Sequence, residues 1–103
     1  MKFESRNHIL RVSGLHELNA SNANAFRDQT RAALQPDHHQ LDIDFSEVRF
    51  LDSSGLGAMI ALHKTMAARQ GHVRVVSPLA QVQQVLELTR MHRIFELAQE
   101  NRP

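Results

Sequence analysis

The chain has no cysteine, which excludes disulfides and thiolate metal sites and is compatible with a reducing compartment. It has no block of like charge either. Its 12 Lys and Arg stand against 11 Asp and Glu, spread along 103 residues, for a net charge of +1. That balance gives no electrostatic footprint for nucleic acid or for an anionic lipid surface. No apolar run approaches the roughly 20 residues that cross a bilayer. Residues Met1 to His8 lack the apolar centre of a secretory signal. No segment repeats. The absences together lead to the expectation of a soluble cytoplasmic protein with no cofactor, no metal, no nucleic acid and no membrane contact.

What is present is 42% hydrophobic residues, enough for one core in a chain of this length. We therefore expect a single domain over 1–103, with Asn101-Arg102-Pro103 as a loose tail. Ile9, Leu10 and Val12 read as a strand, paired with an upstream strand at Phe3 through a turn at Ser5 to Asn7. Residues 14–20 read as a loop, and Asn19, Ser21 and Asn22 are candidate N-caps of the helix that follows. Ala23, Phe26, Ala33 and Leu34 share one face of that helix, which must stop before Pro36.

Leu41, Ile43 and Phe45 alternate with Asp42 and Asp44, a period of two that predicts a strand. A second helix follows from Leu56, with Met59, Ile60, His63, Met66 and Ala67 on its apolar side and a stop at Gln70-Gly71. Val73, Val75 and Val76 give another strand. Leu79, Val82, Val85, Leu86 and Thr89 give a third helix. Ile94, Phe95 and Leu97 form either a short strand or a helical turn. The segment 41–76 is then a βαβ unit, parallel and right-handed. The fold class is α/β, a mixed sheet with helices packed on it, antiparallel at the N-terminal hairpin.

Between strand and second helix lies Leu51-Asp52-Ser53-Ser54-Gly55-Leu56-Gly57. It sets two hydroxyls and an acid at a helix start, where backbone N–H groups lack partners and the dipole is positive. Such a place suits an N-cap, an anion, or a phosphate on one of its own serines. Residue chemistry alone does not separate the three. In the first, either serine or Asp52 caps the helix and no side chain is modified.

These residues carry a resemblance. Ile43-Asp44-Phe45-Ser46 through Phe50-Leu51-Asp52-Ser53-Ser54-Gly55-Leu56-Gly57 resembles the STAS domain of the anti-sigma factor antagonists, a likeness that extends from about Ile9 to Leu97. Glu17-Leu18-Asn19-Ala20 is similar to the family's Glu-Leu-Asp before the first helix. Asn19 replaces that aspartate, and Leu15-His16 stands as a short insertion. The resemblance implies a non-enzymatic bacterial partner switch in signal transduction and transcription regulation. Unphosphorylated, the antagonist binds an anti-sigma serine kinase of the histidine-kinase-like ATPase fold. The kinase phosphorylates the second hydroxyl of the motif, here Ser54, and a PP2C-type phosphatase resets it. Asn19, Ser21, Asn22, Asp52, Ser53, Gly55, Leu56 and Gly57 are the implied partner-contacting residues. The alternative is a STAS scaffold in a non-sigma assembly, such as a transporter accessory, with Ser54 only a cap.

Other chemistries fit less well. Asp44 resembles the phosphoacceptor of a receiver, without the accompanying acids and lysine. Gly55-Leu56-Gly57 lacks the third glycine of a dinucleotide loop. Seven histidines include only one adjacent pair, His38-His39, and no HExxH spacing. His63 reads as a partly buried structural residue. The motif is not the Gly-x-Ser-x-Gly elbow of a serine hydrolase.

Overall fold

The first two strands, β1 (Lys2–Arg6) and β2 (Ile9–Ser13), pair antiparallel with Arg6 opposite Ile9. The turn between them is Asn7-His8, both at positive φ (52° and 67°), the two-residue geometry whose twist matches a hairpin. The expected turn at Ser5 to Asn7 is thus displaced downstream. Asn tolerates the left-handed region, and Ser5 stays in the ladder opposite Leu10. The chain is seen here in a computed structural model that describes residues 1–100. The expected tail, 101–103, lies outside the described residues.

Next come β3 (Glu17–Leu18), α1 (Ala23–Ala33), β4 (Gln40–Asp44), β5 (Phe50–Leu51), α2 (Ser53–Ala67) and β6 (His72–Val76). The chain then forms α3 (Ala80–Leu88), a 3₁₀ turn (Met91–Arg93) and β7 (Glu96–Ala98). Five strands form one sheet in the order β1-β2-β4-β6-β7, antiparallel only at the hairpin. The parallel β4–α2–β6 unit is as expected from 41–76. The end of the chain takes both forms the sequence left open, a helical turn and then a strand. The expected loop at 14–20 contains β3, which pairs with β5 in a second, two-stranded parallel sheet.

One face of the large sheet presents Leu10, Val12, Leu41, Ile43, Val73 and Val75 to a single core. The helices meet it with Phe26 of α1, Met59, Leu62 and Met66 of α2, and Val82 and Leu86 of α3. The buried stripe of α2 is Gly55, Ala58, Met59, Leu62 and Met66, rotated from the expected one. Leu56, Ile60 and His63 are half-buried and Ala67 is exposed. His63 stands edge-on to the Phe95 ring at 6.0 Å. After α2, the left-handed residue is Gln70 (φ 60°) and not Gly71. Gly71 serves close packing, because a methyl there would stand 2.5 Å from the His39 carbonyl oxygen.

The opposite face is charged. Strand register places Glu4, Arg11, Asp42, Arg74 and Glu96 side by side across all five strands, alternating in sign. Arg74 donates to both Asp42 oxygens at 3.0 and 2.8 Å. Arg11 donates twice to Glu100 at 2.9 Å and lies 3.4 Å from Asp44. Both guanidinium groups are held above their ordinary value, Arg74 first by its hydrogen bonds with Asp42 and Arg11 first by those with Glu100.

The Asp42 side chain is only 5% exposed against 26% for Arg74, so the pair is asymmetric. Arg74→Met strands a buried carboxylate and is expected to cost on the order of 3–5 kcal/mol. Asp42→Leu leaves a guanidinium that reaches water and costs less, and the double variant recovers most of the loss. Urea unfolding followed by circular dichroism checks this order. Equal losses in the two single variants would contradict it.

Candidate functional site

Helix α2 begins where β5 ends, and Asp52 is the residue between them. Its backbone is extended (φ −110°, ψ −175°), as an N-cap requires, and its Oδ1 accepts from the Gly55 N–H at 3.0 Å. Its Oδ2 accepts from the Ala20 N–H at 3.2 Å, on the loop between β3 and α1. Its own N–H donates to the Leu18 carbonyl at 3.2 Å, and its carbonyl accepts from Leu56 at 3.0 Å. The cap is therefore Asp52, and neither serine performs that task. Ser53 and Ser54 occupy the first two helical positions with both side chains exposed. With both carboxylate oxygens engaged by backbone N–H groups, Asp52 is a fastener and not a free base.

The two motif glycines differ. Gly55 is buried, and a methyl there would stand 2.6 Å from the Leu18 carbonyl oxygen and 2.8 Å from Leu51 Cδ1. Gly55, expected among the partner-contacting residues, is placed by the structure in internal packing, where it lets α2 lie against β3. Gly57 is exposed, and nothing stands within 4 Å of where its methyl would be. Leu56 is half-buried, packed against the core.

The second group of predicted residues forms a hydrogen-bonded loop. Asn19 Oδ1 accepts from the Ser21 N–H at 3.0 Å and from the Ser21 hydroxyl at 2.6 Å. Asn22 Oδ1 accepts from the Asn19 N–H at 2.9 Å, and its Nδ2 donates to the Glu17 carbonyl at 2.8 Å. Asn22 occupies the N-cap position of α1 without making a side-chain cap. Asp52 joins this loop to the serine-bearing turn, so Asn19, Ser21 and Asn22 and the Ser53-Ser54 turn are brought together. Leu15, from the short insertion, is buried in the core, and the His16 carbonyl accepts from the Arg49 N–H at 2.9 Å.

Other candidate chemistries have their own placements. Asp44 accepts from the Ser46 N–H at 2.9 Å and pairs with Arg11. Among the described residues, no three His, Cys, Asp or Glu side chains are grouped as a metal would require. A serine and a histidine do meet, but away from the motif: Ser5 Oγ and His38 Nε2 lie 2.7 Å apart. The Gln35 N–H donates to His38 Nδ1 at 2.8 Å, so Nδ1 holds the lone pair and the neutral ring's proton sits on Nε2. That tautomer offers the hydroxyl a donor where a nucleophile needs a base. This hydrogen bond between the exposed Ser5 and the buried His38 pins the hairpin to the loop after α1.

Phe50 belongs to the segment that carries the family resemblance but is not among the implied partner-contacting residues. It is 54% exposed, while its neighbour Leu51 is buried. Strand parity, with Leu51 inward, is the signal that places Phe50 outward.

The chain matches the family model of the STAS domain over residues 1–101. A Thermotoga maritima protein provisionally named an anti-sigma factor antagonist is 30% identical over 82 residues, 79% of this chain and 73% of that one. A crystal structure of the provisionally named antagonist from that organism superposes with a TM-score of 0.86 at 24% identity, covering 94% of this chain and 84% of that one. An anti-sigma factor antagonist from Mycobacterium paratuberculosis superposes at 0.76 with 26% identity, over 94% and 82% of the two chains. The murine anion transporter Solute Carrier 26 family member A9 shares the fold over 82% of this chain and 14% of its own, with a TM-score of 0.66 and 23% identity. With its motif at the head of α2 and the family match along nearly all its length, the chain belongs to the STAS-domain family of anti-sigma factor antagonists.

Proposed function

We propose that this protein is a non-enzymatic phospho-switch that binds an anti-sigma serine kinase of the histidine-kinase-like ATPase fold and is released by phosphorylation of Ser54. A PP2C-type phosphatase resets it. The observation that carries the reading is the division of labour at α2: Asp52 caps the helix, which leaves the Ser54 hydroxyl exposed and uncommitted to the fold. A phosphoryl group there adds about −1.5 to −2 charges. The first-turn N–H groups of Ser53 and Ser54 have no intrahelical acceptor and can solvate it. Asp52 already places one negative charge beside that position, so phosphorylation concentrates charge on the docking surface without needing to unfold α2. The switch is a local block by bulk and repulsion. Ser53, Asp52, Leu56 and Gly57, with Asn19, Ser21 and Asn22, form the surroundings that the kinase covers.

A scaffold role in a non-sigma assembly uses the same fold without the switch, a reading to which the shared fold of the anion transporter lends support. It differs in one outcome, since wild type would then gain no phosphate from any such kinase.

The test is incubation with a candidate kinase and ATP, followed by intact-mass spectrometry. Wild type and Ser53→Ala are expected to gain one phosphate, Ser54→Ala none, and a PP2C-type phosphatase to remove it. Phosphate retained in Ser54→Ala would overturn the assignment. Amide NMR of the phosphorylated protein is expected to show shifts confined to the start of α2 and its neighbours. Shifts spread through α1, α2 and α3 would sink the local block. Separately, Asp52→Ala is expected to lower stability by about 0.5–2 kcal/mol through the lost cap, measured by thermal unfolding.

A further inference from the structure

Two features beside Ser54 have no explanation among the described residues. The first is Phe50. Its ring is 54% exposed, although a phenyl group gains free energy by leaving water and aromatic residues are enriched where proteins bind one another. Leu51 on the same strand is buried, and the pairing of Glu17 with Phe50 and Leu18 with Leu51 fixes which residue points outward. The second is Gly57. A glycine inside a helix is disfavoured against alanine by about 1 kcal/mol, and here a methyl would meet open space. Neither a positive φ nor a close internal neighbour accounts for it. Gly55, two residues earlier, shows the contrast, since packing against Leu18 leaves it no room for a side chain.

Both features adjoin Ser54. Gly57 lies one helical turn beyond Ser54 on the same exposed side, because residues three apart are neighbours on a helix. Phe50 is four residues before Ser54, so the chain holds their Cα atoms within about 14 Å. A protein that reaches Ser54 with an active site covers about 800 Å² around it, a disc roughly 16 Å in radius. Both residues fall inside that footprint.

We infer that Phe50 and Gly57 form the docking surface for the serine kinase that modifies Ser54. Phe50 is the knob that enters an apolar pocket on the kinase. Gly57 is the flat place where the kinase surface comes down against the α2 backbone. The inference rests on the phospho-switch reading and adds to it the partner's shape: an apolar pocket beside a close-packed contact. Asp52 holds both in place, because it is the joint between the strand that carries Phe50 and the helix that carries Gly57.

The test measures phosphate transfer from labelled ATP to this protein by the host's serine kinases of that fold, over a range of antagonist concentrations. For Phe50→Ser the KM is expected to rise about ten- to a hundred-fold, as for an aromatic hot spot, with kcat nearly unchanged. Phe50→Tyr keeps the ring and restores the wild-type KM. Gly57→Gln supplies the sharper comparison. It should raise the unfolding temperature, as a better helix former, and yet raise KM about tenfold or more by lifting the kinase off the helix. Stability and docking then move in opposite directions, which a structural role cannot produce. A KM within about twofold of wild type for both Phe50→Ser and Gly57→Gln would overturn the docking surface while leaving the phospho-switch standing. If wild type gains no phosphate from any such kinase, the phospho-switch reading fails, and the docking inference fails with it.

Discussion

The carboxylate of Asp52 is the constraint on which the candidate site depends. The sheet formed by β3 and β5 has two residues in each strand, far too little pairing to stand alone. Asp52 extends it by donating its N–H to Leu18, then turns the chain into α2 and engages Gly55 and Ala20 with its two oxygens. Strand end, helix start and the following loop are thereby one unit. An acid at this position is also favoured by the positive end of α2. A serine at the N-cap position could satisfy one N–H but is too short to bridge to Ala20 as well. Ser53 and Ser54 stay exposed while the acid makes the cap.

The motif was legible as a helix start, and its elements were legible from periodicity, but the roles within it were not. Asp52, Ser53 and Ser54 are all competent caps by residue type. Which one caps depends on where the backbone changes from extended to helical, and that boundary is set by the pairing of β5 with β3. β3 itself was read as loop because two residues carry no period. Gly55 and Gly57 look alike in a sequence and differ in space, one pressed against a neighbouring strand and the other facing solvent. The difference follows from the phase of α2, which burial of Ala58, Met59 and Leu62 fixes. The apolar recurrence in the sequence, Leu56, Met59, Ile60, His63, Met66 and Ala67, shares Met59 and Met66 with that stripe, and its other members lie at the margin or outside it.

Polar burial was the other thing the pattern hid. Alternation correctly turned Leu41 and Ile43 toward the core and left Asp42 on the far side, where an acid is ordinarily solvated. Asp42 is nevertheless buried, because Arg74 comes from a strand 32 residues later and covers it with two hydrogen bonds. No local window contains that pair. Thr30 of α1 is likewise fully buried, with its hydroxyl oxygen unpartnered. The same limit applies to Ser5 and His38, whose hydrogen bond joins two segments that periodicity treats as unrelated.

The charged row across the sheet bears on where recognition can occur. Glu4, Arg11, Asp42, Arg74 and Glu96 alternate in sign from strand to strand, so each charge is flanked by opposite charge. The field of such a row cancels over a few ångströms, well inside the roughly 8 Å over which physiological salt screens exposed charges. A partner approaching this face would have to break ion pairs that are already made, with desolvation added to their loss. The apolar face is filled by three helices. Where β5 runs into α2 the chain places the exposed Phe50 ring, the exposed Ser53 and Ser54 residues and Gly57, whose missing methyl would meet open space. A sheet that neutralises one face and buries the other leaves recognition to its strand ends, loops and helix exteriors, and the head of α2 is one such surface.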